Sequence, residues 1–147
     1  MHEAYMRQAL ALAEEAQAAG EVPVGAVIVL GGSVVGAGRN QTIARGDPTA
    51  HAEMLAIREA CGRVGNYRLE GAVLYATLEP CVMCAGALVA ARVGTLVFAA
   101  RDLRFGGVRS KFRLADSELL NHRVEIVEGV LALESVRLLQ GFFESRR

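Results

Sequence analysis

The sequence predicts an α/β domain of three layers, with helices on both faces of a mixed sheet. Runs of β-branched and apolar residues, typical of buried strands, alternate with segments whose apolar residues recur at helical spacing. The resulting order, α-β-β-α-β-α-β-β-α, places helices between the later strands, which requires some parallel neighbours. At 147 residues the chain has the length of one domain, and we expect residues 1–147 to form it.

The first half of the chain is predicted to hold a helix, a hairpin and a second helix. Gly20 follows the first amphipathic stripe and supplies a C-terminal stop. The pair Gly31-Gly32 separates two β-branched runs, which is typical of a tight hairpin turn. Asp47 or Thr49 can serve as the N-cap of the second helix. The predicted elements are a helix at 3–19, strands at 24–30 and near 34–35, a loop at 41–48 and a helix at 49–61.

The second half is predicted to alternate strands with helices. Pro80 is suited to the first turn of a helix, because its missing N–H would have no partner there. Apolar runs before and after that helix read as buried strands. The predicted elements are strands at 71–78, 94–100 and 123–129, a helix at 80–93, a loop rich in glycine and arginine at 101–113, and a terminal helix from Leu133.

Composition limits the classes of function. The chain has 16 basic and 16 acidic residues, so its overall charge gives no support for a nucleic-acid partner. Glu3, Glu14 and Glu15 interrupt the apolar positions near the start, which argues against a signal peptide or a membrane span. We therefore expect a cytoplasmic protein with no membrane partner. Three cysteines are too few for a disulfide framework and leave a metal or redox role open.

Two short segments, "TAHAEM" and "EPCVMC", hold side chains suited to one metal ion. Cys81 and Cys84 stand three apart at the predicted start of a helix, so both sulfurs lie on one face of its first turn. His51 and Glu53 stand two apart at the start of another helix, where both can serve a point ahead of the first turn. These four residues are the candidate metal centre.

The number of protein ligands indicates the kind of metal site. A C-x-x-C pair alone also occurs in redox motifs and in structural zinc modules, which need four protein ligands. Among the candidates His51, Cys61, His2 and His122, only His51 begins a helix next to a suitable carboxylate. Cys61 lies too far along its helix to share an ion with His51, which leaves three ligands. Three ligands and an open position are typical of a catalytic zinc that binds water. Glu53 is then placed as general acid and base, and we expect burial to raise its pKa.

The motif "HAE", followed 27 residues later by "PCVMC", resembles the signature of zinc-dependent nucleoside and nucleobase deaminases. The segments "EVPVGAV", "DPTAHAE", "LYATLEPCVMCAGA", "ARD" and "NHRVEI" extend the similarity to the bacterial tRNA-specific adenosine deaminase family over nearly the whole chain. The resemblance implies a cytidine-deaminase-like fold with a five-stranded mixed sheet, one Zn²⁺ per subunit and a homodimer. It also implies hydrolytic deamination of the wobble adenosine in a tRNA anticodon loop to inosine.

The same resemblance implies roles for single residues around the metal centre. Asn40 is expected to hold the purine, and Asp102 to line the sugar of the target nucleotide. The backbone N–H of Ala52 is expected to bind the oxygen that develops during attack. From the residues alone, Asn40 could instead close a turn, Asp102 could form a surface ion pair, and His122 could make a structural hydrogen bond rather than contact substrate.

The loop at 101–113 and the terminal "FFESRR" are candidate RNA-binding surfaces. The loop holds five basic residues and one acidic residue, with Phe105 and Phe112 between them, and the tail adds Phe142, Phe143 and two arginines. Such a combination can contact phosphates and stack on splayed bases. The alternative is a solvated loop beside a helix whose phenylalanines pack inward.

Two other functions stay open on the sequence. The same zinc chemistry could act on a free base or nucleoside, such as guanine, cytosine or cytidine. A non-catalytic, zinc-stabilised partner subunit is the second alternative, and Glu53 argues against it because a structural site needs no proton shuttle. The basic, aromatic loop favours RNA over a small molecule, which has no need of that loop.

Overall fold

The computed structural model, which describes residues 1–146, has five helices and five strands within them. The helices are α1 (His2–Ala18), α2 (Thr42–Arg45), α3 (Ala52–Val64), α4 (Val82–Ala90) and α5 (Ala132–Glu144). The strands are β1 (Gly25–Leu30), β2 (Ser33–Arg39), β3 (Val73–Leu78), β4 (Thr95–Ala100) and β5 (Glu125–Glu128). Arg147, one of the two arginines of the predicted RNA-binding tail, lies outside the described residues.

The strands form one mixed sheet in the order β2-β1-β3-β4-β5. β1 runs antiparallel to β2 and to β3, whereas β3, β4 and β5 are parallel. The parallel half follows from the helical connection between β3 and β4, since a parallel neighbour needs a crossover. The predicted fold class, a three-layer α/β/α arrangement with a five-stranded mixed sheet, is confirmed.

Helices pack on both faces of this sheet. Met6 and Leu10 of α1 pack against Val27, Tyr75 and Val97 on one face, and α5 lies beside α1. On the other face, α3 and α4 bury their apolar stripes against β1, β3 and β4. Within residues 1–146, no helix has both the length and the apolar character needed to cross a membrane. The face that carries α3 and α4 holds the metal-binding segments.

A short helix occupies part of the predicted loop at 41–48. Its first turn is held by Glu21, a buried residue whose carboxylate accepts hydrogen bonds from the N–H groups of Ile43 and Ala44, at 3.1 and 2.8 Å. A carboxylate at a helix N-terminus satisfies unpaired N–H groups and favours the helix dipole. The prediction of a loop was wrong here because the capping group comes from elsewhere in the chain.

Helix α3 begins at Ala52, three residues later than predicted, with His51 at its N-cap. The expected cap residues have another role: Oδ1 of Asp47 accepts hydrogen bonds from the backbone N–H and the hydroxyl of Thr49, at 2.8 and 2.7 Å. This local turn competes with helix formation and delays it. The delay places His51 at the N-terminal end of α3, just before its first turn.

Strand β2 packs closely over α3 because glycines stand at its contact points. A Cβ atom at Gly36 would overlap the carbonyl oxygen of Ala56, and one at Gly38 would overlap that of Ala52. Gly38 therefore sets how near the first turn of α3 can lie to the sheet. A side chain at this position would displace the segment that carries His51 and Glu53.

We expect Gly38→Ala to lower the free energy of unfolding by about 1–3 kcal/mol, the usual cost of overpacking a core. Gly62→Ala is the matched control, because Gly62 lies in α3 with no atom near the position of a new Cβ. Chemical denaturation should show Gly62→Ala to be neutral or slightly stabilising. Equal stability of the two variants would contradict the close approach of β2 and α3.

Candidate metal centre and active site

The structure brings together the three side chains that the sequence suggested as metal ligands. His51 is the N-cap of α3, Cys81 is the N-cap of α4, and Cys84 lies in the first turn of α4. The Nδ1 atom of His51 is 3.6 Å from the Sγ atoms of both cysteines, and the three atoms all lie within 4.8 Å of one another. One imidazole and two sulfurs at this spacing can hold a single metal ion.

The sulfurs of the cluster differ in their affinity for a proton. A hydrogen bond from the Cys84 thiol lowers the pKa of Cys81 to about 4, and His51 adds to this effect against the opposing effect of burial. The same hydrogen bond and burial raise the pKa of Cys84. The hydrogen bond to Cys81 raises the pKa of His51. The lowered pKa of Cys81 favours its thiolate, the form that binds a cation.

Glu53 lies beside the cluster with its carboxyl group out of contact with bulk water. The residue is only 3% exposed, and burial raises the pKa of Glu53 to about 7. The direction of this shift is the one predicted. A carboxyl group with a pKa near the working pH can both accept and release a proton, which is what general acid and base catalysis requires.

His51, Glu53 and Cys81 line an open pocket of about 800 Å³. The pocket is large enough for a purine nucleoside, since ligand sites span roughly 300–1,000 Å³. Its wall combines polar, basic and aromatic side chains from the β2–α3 segment, the 101–113 loop and α5. These include Asn40, Asp102, Arg104, Phe105, Lys111 and Phe143.

Asn40 lies in the pocket wall and is bonded to the start of α3. Its Oδ1 accepts a hydrogen bond of 2.9 Å from the N–H of Ala52. Asn40 thus caps α3 from outside the helix, in place of the turn-closing role considered from the sequence. The N–H of Ala52 already has an acceptor here, so a substrate oxygen would have to share it.

Asp102 also lines the pocket, and its carboxylate shapes the loop that follows it. Its Oδ1 accepts hydrogen bonds of 3.1 Å from the N–H groups of Arg104 and Phe105. The alternative ion pair between Asp102 and Arg101 is not what the structure shows, because Arg101 pairs with Glu128 at 2.7 Å. Asp102 therefore lies in the pocket wall with its carboxylate bonded within its own loop.

The two adjacent phenylalanines of the tail have different environments. Phe143 is 50% exposed and lines the pocket. Phe142 is 4% exposed, and the guanidinium of Arg146 lies 4.0 Å from the centre of its ring. The prediction that Phe142 binds substrate is corrected accordingly, because a buried ring has no face free to stack on a base. Phe105 and Phe112 are exposed beside the pocket.

Two residues considered at the sequence level have structural roles. Cys61 is half-buried against the core, and its sulfur lies 3.8 Å from the carbonyl oxygen of Tyr67, apart from the metal centre. The Nε2 atom of His122 lies 2.7 Å from the carbonyl oxygen of Val93. Of the two roles considered for His122, the structure shows the hydrogen-bonding one.

Sequence reasoning missed Glu79, a buried residue that ends the segment before the cysteines. Its side chain accepts hydrogen bonds from the 101–113 loop. Burial raises the pKa of this carboxyl, but these hydrogen bonds outweigh burial and hold the pKa below its ordinary value. The available signal was an acidic residue at the end of an apolar strand, where a buried charge must be paired or hydrogen-bonded.

The protein has a five-stranded mixed sheet, and helices α3 and α4 on one face bring the H-x-E and C-x-x-C motifs together. This combination defines the class of cytidine-deaminase-like deaminases. A family model described as MafB19-like deaminase matches residues 1–147. A tRNA-specific adenosine deaminase from Haemophilus influenzae is 47% identical over 146 residues, covering 99% of this chain and 84% of the relative. The chain belongs to the family of MafB19-like and tRNA-specific adenosine deaminases.

Solved structures agree with this assignment. One, from a study of A-to-I editing by tRNA:A34 deaminases at the wobble position of transfer RNA, has a TM-score of 0.89 and 42% identity, covering 92% of this chain and 98% of its own. A guanine deaminase from Nitrosomonas europaea has a TM-score of 0.83 and 27% identity, covering 95% and 83%. The chain is thus similar in structure both to a deaminase that acts on tRNA and to one that acts on a free base.

Proposed function

We propose that this protein converts the wobble adenosine of a tRNA anticodon to inosine by hydrolytic deamination. The observation that carries the proposal is the cluster of His51, Cys81 and Cys84 beside the buried Glu53, in a pocket with a basic and aromatic rim. The relative from Haemophilus influenzae is named for adenosine deamination in tRNA, and the chain matches it over nearly its full length.

Zinc is the metal we propose for the cluster, one ion per subunit. With Zn–S near 2.3 Å and Zn–N near 2.0–2.1 Å, tetrahedral angles place the nitrogen about 3.6 Å from each sulfur. The spacing between His51 Nδ1 and the sulfurs of Cys81 and Cys84 is 3.6 Å. A zinc ion held by these three ligands would have a fourth coordination position open. A water molecule bound in that position would be activated for attack.

Glu53 is the proposed proton shuttle. Its carboxylate accepts a proton from the attacking water and delivers a proton to the ring nitrogen of the purine. It then takes the remaining proton from the added hydroxyl and passes it to the amino group, so that the C–N bond breaks, ammonia leaves and the oxygen of water remains on the ring carbon. The raised pKa of Glu53 suits both transfers, because the proton is neither held too tightly nor released too readily.

The substrate roles proposed for the pocket residues follow their positions. Asn40 holds the purine, Asp102 lies against the sugar of the target nucleotide, and the N–H of Ala52 is shared with the developing oxygen. Phe143 offers an exposed ring at the pocket wall on which a base can stack. Arg104 and Lys111 add positive charge at the same wall for the phosphate backbone.

A second candidate keeps the metal centre but acts on a free base. The likeness to the guanine deaminase from Nitrosomonas europaea favours it. A free base has no phosphates, so it would make no use of Arg104 and Lys111 at the pocket wall. RNA is therefore the substrate that uses more of what the structure presents.

Inosine formation in RNA tests the proposal directly. We expect the zinc-loaded protein to form inosine in an anticodon stem-loop with adenosine at the wobble position. A stem-loop with that adenosine moved by one nucleotide should react poorly, and guanine, cytosine and cytidine should remain unchanged. Analysis of the digested RNA by mass spectrometry measures the product. Deamination of a free base with unreacted RNA would overturn the proposal in favour of the second candidate.

We also propose that residues 1–147 act as one deaminase domain, that the protein is a homodimer, and that it works in the cytoplasm with tRNA. The resemblance to the tRNA-specific family supports each of these statements. Sedimentation of the zinc-loaded protein tests the dimer, for which we expect twice the 15.6 kDa mass of one chain. A monomer at the concentrations used for activity would overturn it.

A further inference from the structure

Glu79 is a buried carboxylate that the proposed reaction does not use. It is 2% exposed and accepts hydrogen bonds on both oxygens. Oε1 accepts from the N–H of Asp102 at 3.1 Å and from the hydroxyl of Ser110. Oε2 accepts from the N–H groups of Val108, Arg109 and Ser110, at 3.1, 2.7 and 2.9 Å. One side chain thus binds both ends of the 102–110 segment.

The 101–113 loop has no helix or strand of its own, and the hydrogen bonds to Glu79 join the internal bonds of Asp102 in fixing its shape. Its middle is pressed against the segment that begins at Glu79. A Cβ atom at Gly106 would overlap the Glu79 carboxylate, and one at Gly107 would lie 2.8 Å from the backbone nitrogen of Val82. The loop therefore rests on the same stretch of chain that carries Cys81.

The contact with Glu79 reaches the pocket wall through Asp102, whereas the other donor residues, 108–110, lie further along the loop and do not line the pocket. Asp102, Arg104 and Phe105 all line the pocket, and the N–H of Asp102 is bonded directly to Glu79. We infer that Glu79 is a positioning residue, which holds the 101–113 loop in the shape that binds the RNA around the target nucleotide. The inference rests on the proposed function for the identity of the substrate.

The chemistry of the contact requires a carboxylate at this position. The donors on the two oxygens are four backbone N–H groups and one hydroxyl, and a carboxylate offers acceptors on both sides. An amide of the same shape has one oxygen and one NH₂ group. If the NH₂ of Glu79→Gln replaces Oε1, the N–H of Asp102 loses its acceptor, and if it replaces Oε2, three N–H groups lose theirs.

Glu79→Gln is the first test, with Glu70→Gln as the matched control. Glu70 is an exposed residue that pairs only loosely with Arg68, at 3.7 Å. We expect Glu79→Gln to keep its zinc and most of its kcat. KM for the stem-loop should rise roughly tenfold or more, because a buried N–H left without an acceptor destabilises the loop shape that binds RNA. Hydrogen exchange at the amides of Val108, Arg109 and Ser110 should become faster.

Gly106→Ala tests the same contact from the loop side and remains informative if Glu79→Gln fails to fold. Its new Cβ pushes the loop from Glu79, so KM and amide exchange should change in the same direction. Gly62→Ala is its control and should match the unaltered protein. Unchanged KM and unchanged exchange at 101–113 in folded Glu79→Gln and Gly106→Ala would overturn the positioning role. The exchange measurement shows whether Glu79 holds the loop even if RNA is not the substrate.

Discussion

We expect Glu53→Gln to lower kcat on the RNA substrate by about 10²–10⁴-fold, the usual contribution of a positioned general acid and base. Glutamine has nearly the shape of glutamate but can neither accept nor release a proton at neutral pH. Glu53 is buried in the pocket wall with His51, so bulk water has poor access to take over its proton transfers. Single-turnover measurement of inosine formation separates this chemical step from RNA binding.

The folded state of Glu53→Gln serves as its internal control. Burying a carboxylate costs free energy, which is why burial raises the pKa of Glu53 to about 7. We therefore expect the variant to keep its metal and to unfold at a temperature no lower than the unaltered protein.

Glu59→Gln, on an exposed face of the same helix, is the matched variant. Its amide oxygen can still accept the hydrogen bond that Glu59 receives from the N–H of Ala37, so turnover should be unchanged. Full turnover by metal-loaded Glu53→Gln would show the proton-shuttle mechanism to be wrong.

Most elements of the fold could be predicted because their causes are local. The stripe of apolar residues in α1 and the run of β-branched residues in β1 bury themselves whatever their partners are. Helix α2 could not be predicted in this way. Its N-terminal cap is Glu21, and nothing in the segment "QTIARGDP" shows that a carboxylate from another part of the chain will satisfy its N–H groups.

The candidate metal centre could be predicted from the spacing and type of its residues. Cys81 and Cys84 must share one face of a helical turn, and His51 is the partner that completes a set of three. The residues that surround the metal centre were harder to predict. The orientation of the terminal helix decides that Phe143 faces the pocket while Phe142 faces the core, and the apolar character of both rings fits either assignment.

The role of Glu79 required coordinates because its partners are backbone groups. The donors of Asp102, Val108, Arg109 and Ser110 carry no sequence signal, since every residue other than proline has a backbone N–H. The sequence offers one hint, an acidic residue at the end of an apolar strand. Sequence motifs therefore report the reacting groups better than they report what holds the substrate loop.

Cys84→Ala should remove both the metal and the activity, whereas Cys61→Ala should retain both. Cys84 is buried in the first turn of α4, and its loss leaves only His51 and Cys81 as protein ligands. A first ligand matters more than the outer-shell partners of a metal, whose loss costs about 10–100-fold in affinity or activity. Cys84→Ala should thus lose more than that, reaching the level of chelator-treated protein.

The comparison of two cysteines in one chain tests the ligand assignment apart from general effects of thiol removal. Zinc content by elemental analysis and unfolding temperature with and without added zinc are the measurements. Zinc that binds only the folded state stabilises it, so added zinc should raise the unfolding temperature of Cys61→Ala but not of Cys84→Ala. Cys61 lies against Tyr67, away from the cluster, and has no means of holding the ion. Loss of zinc from Cys61→Ala, or its retention by Cys84→Ala, would overturn the assignment of His51, Cys81 and Cys84.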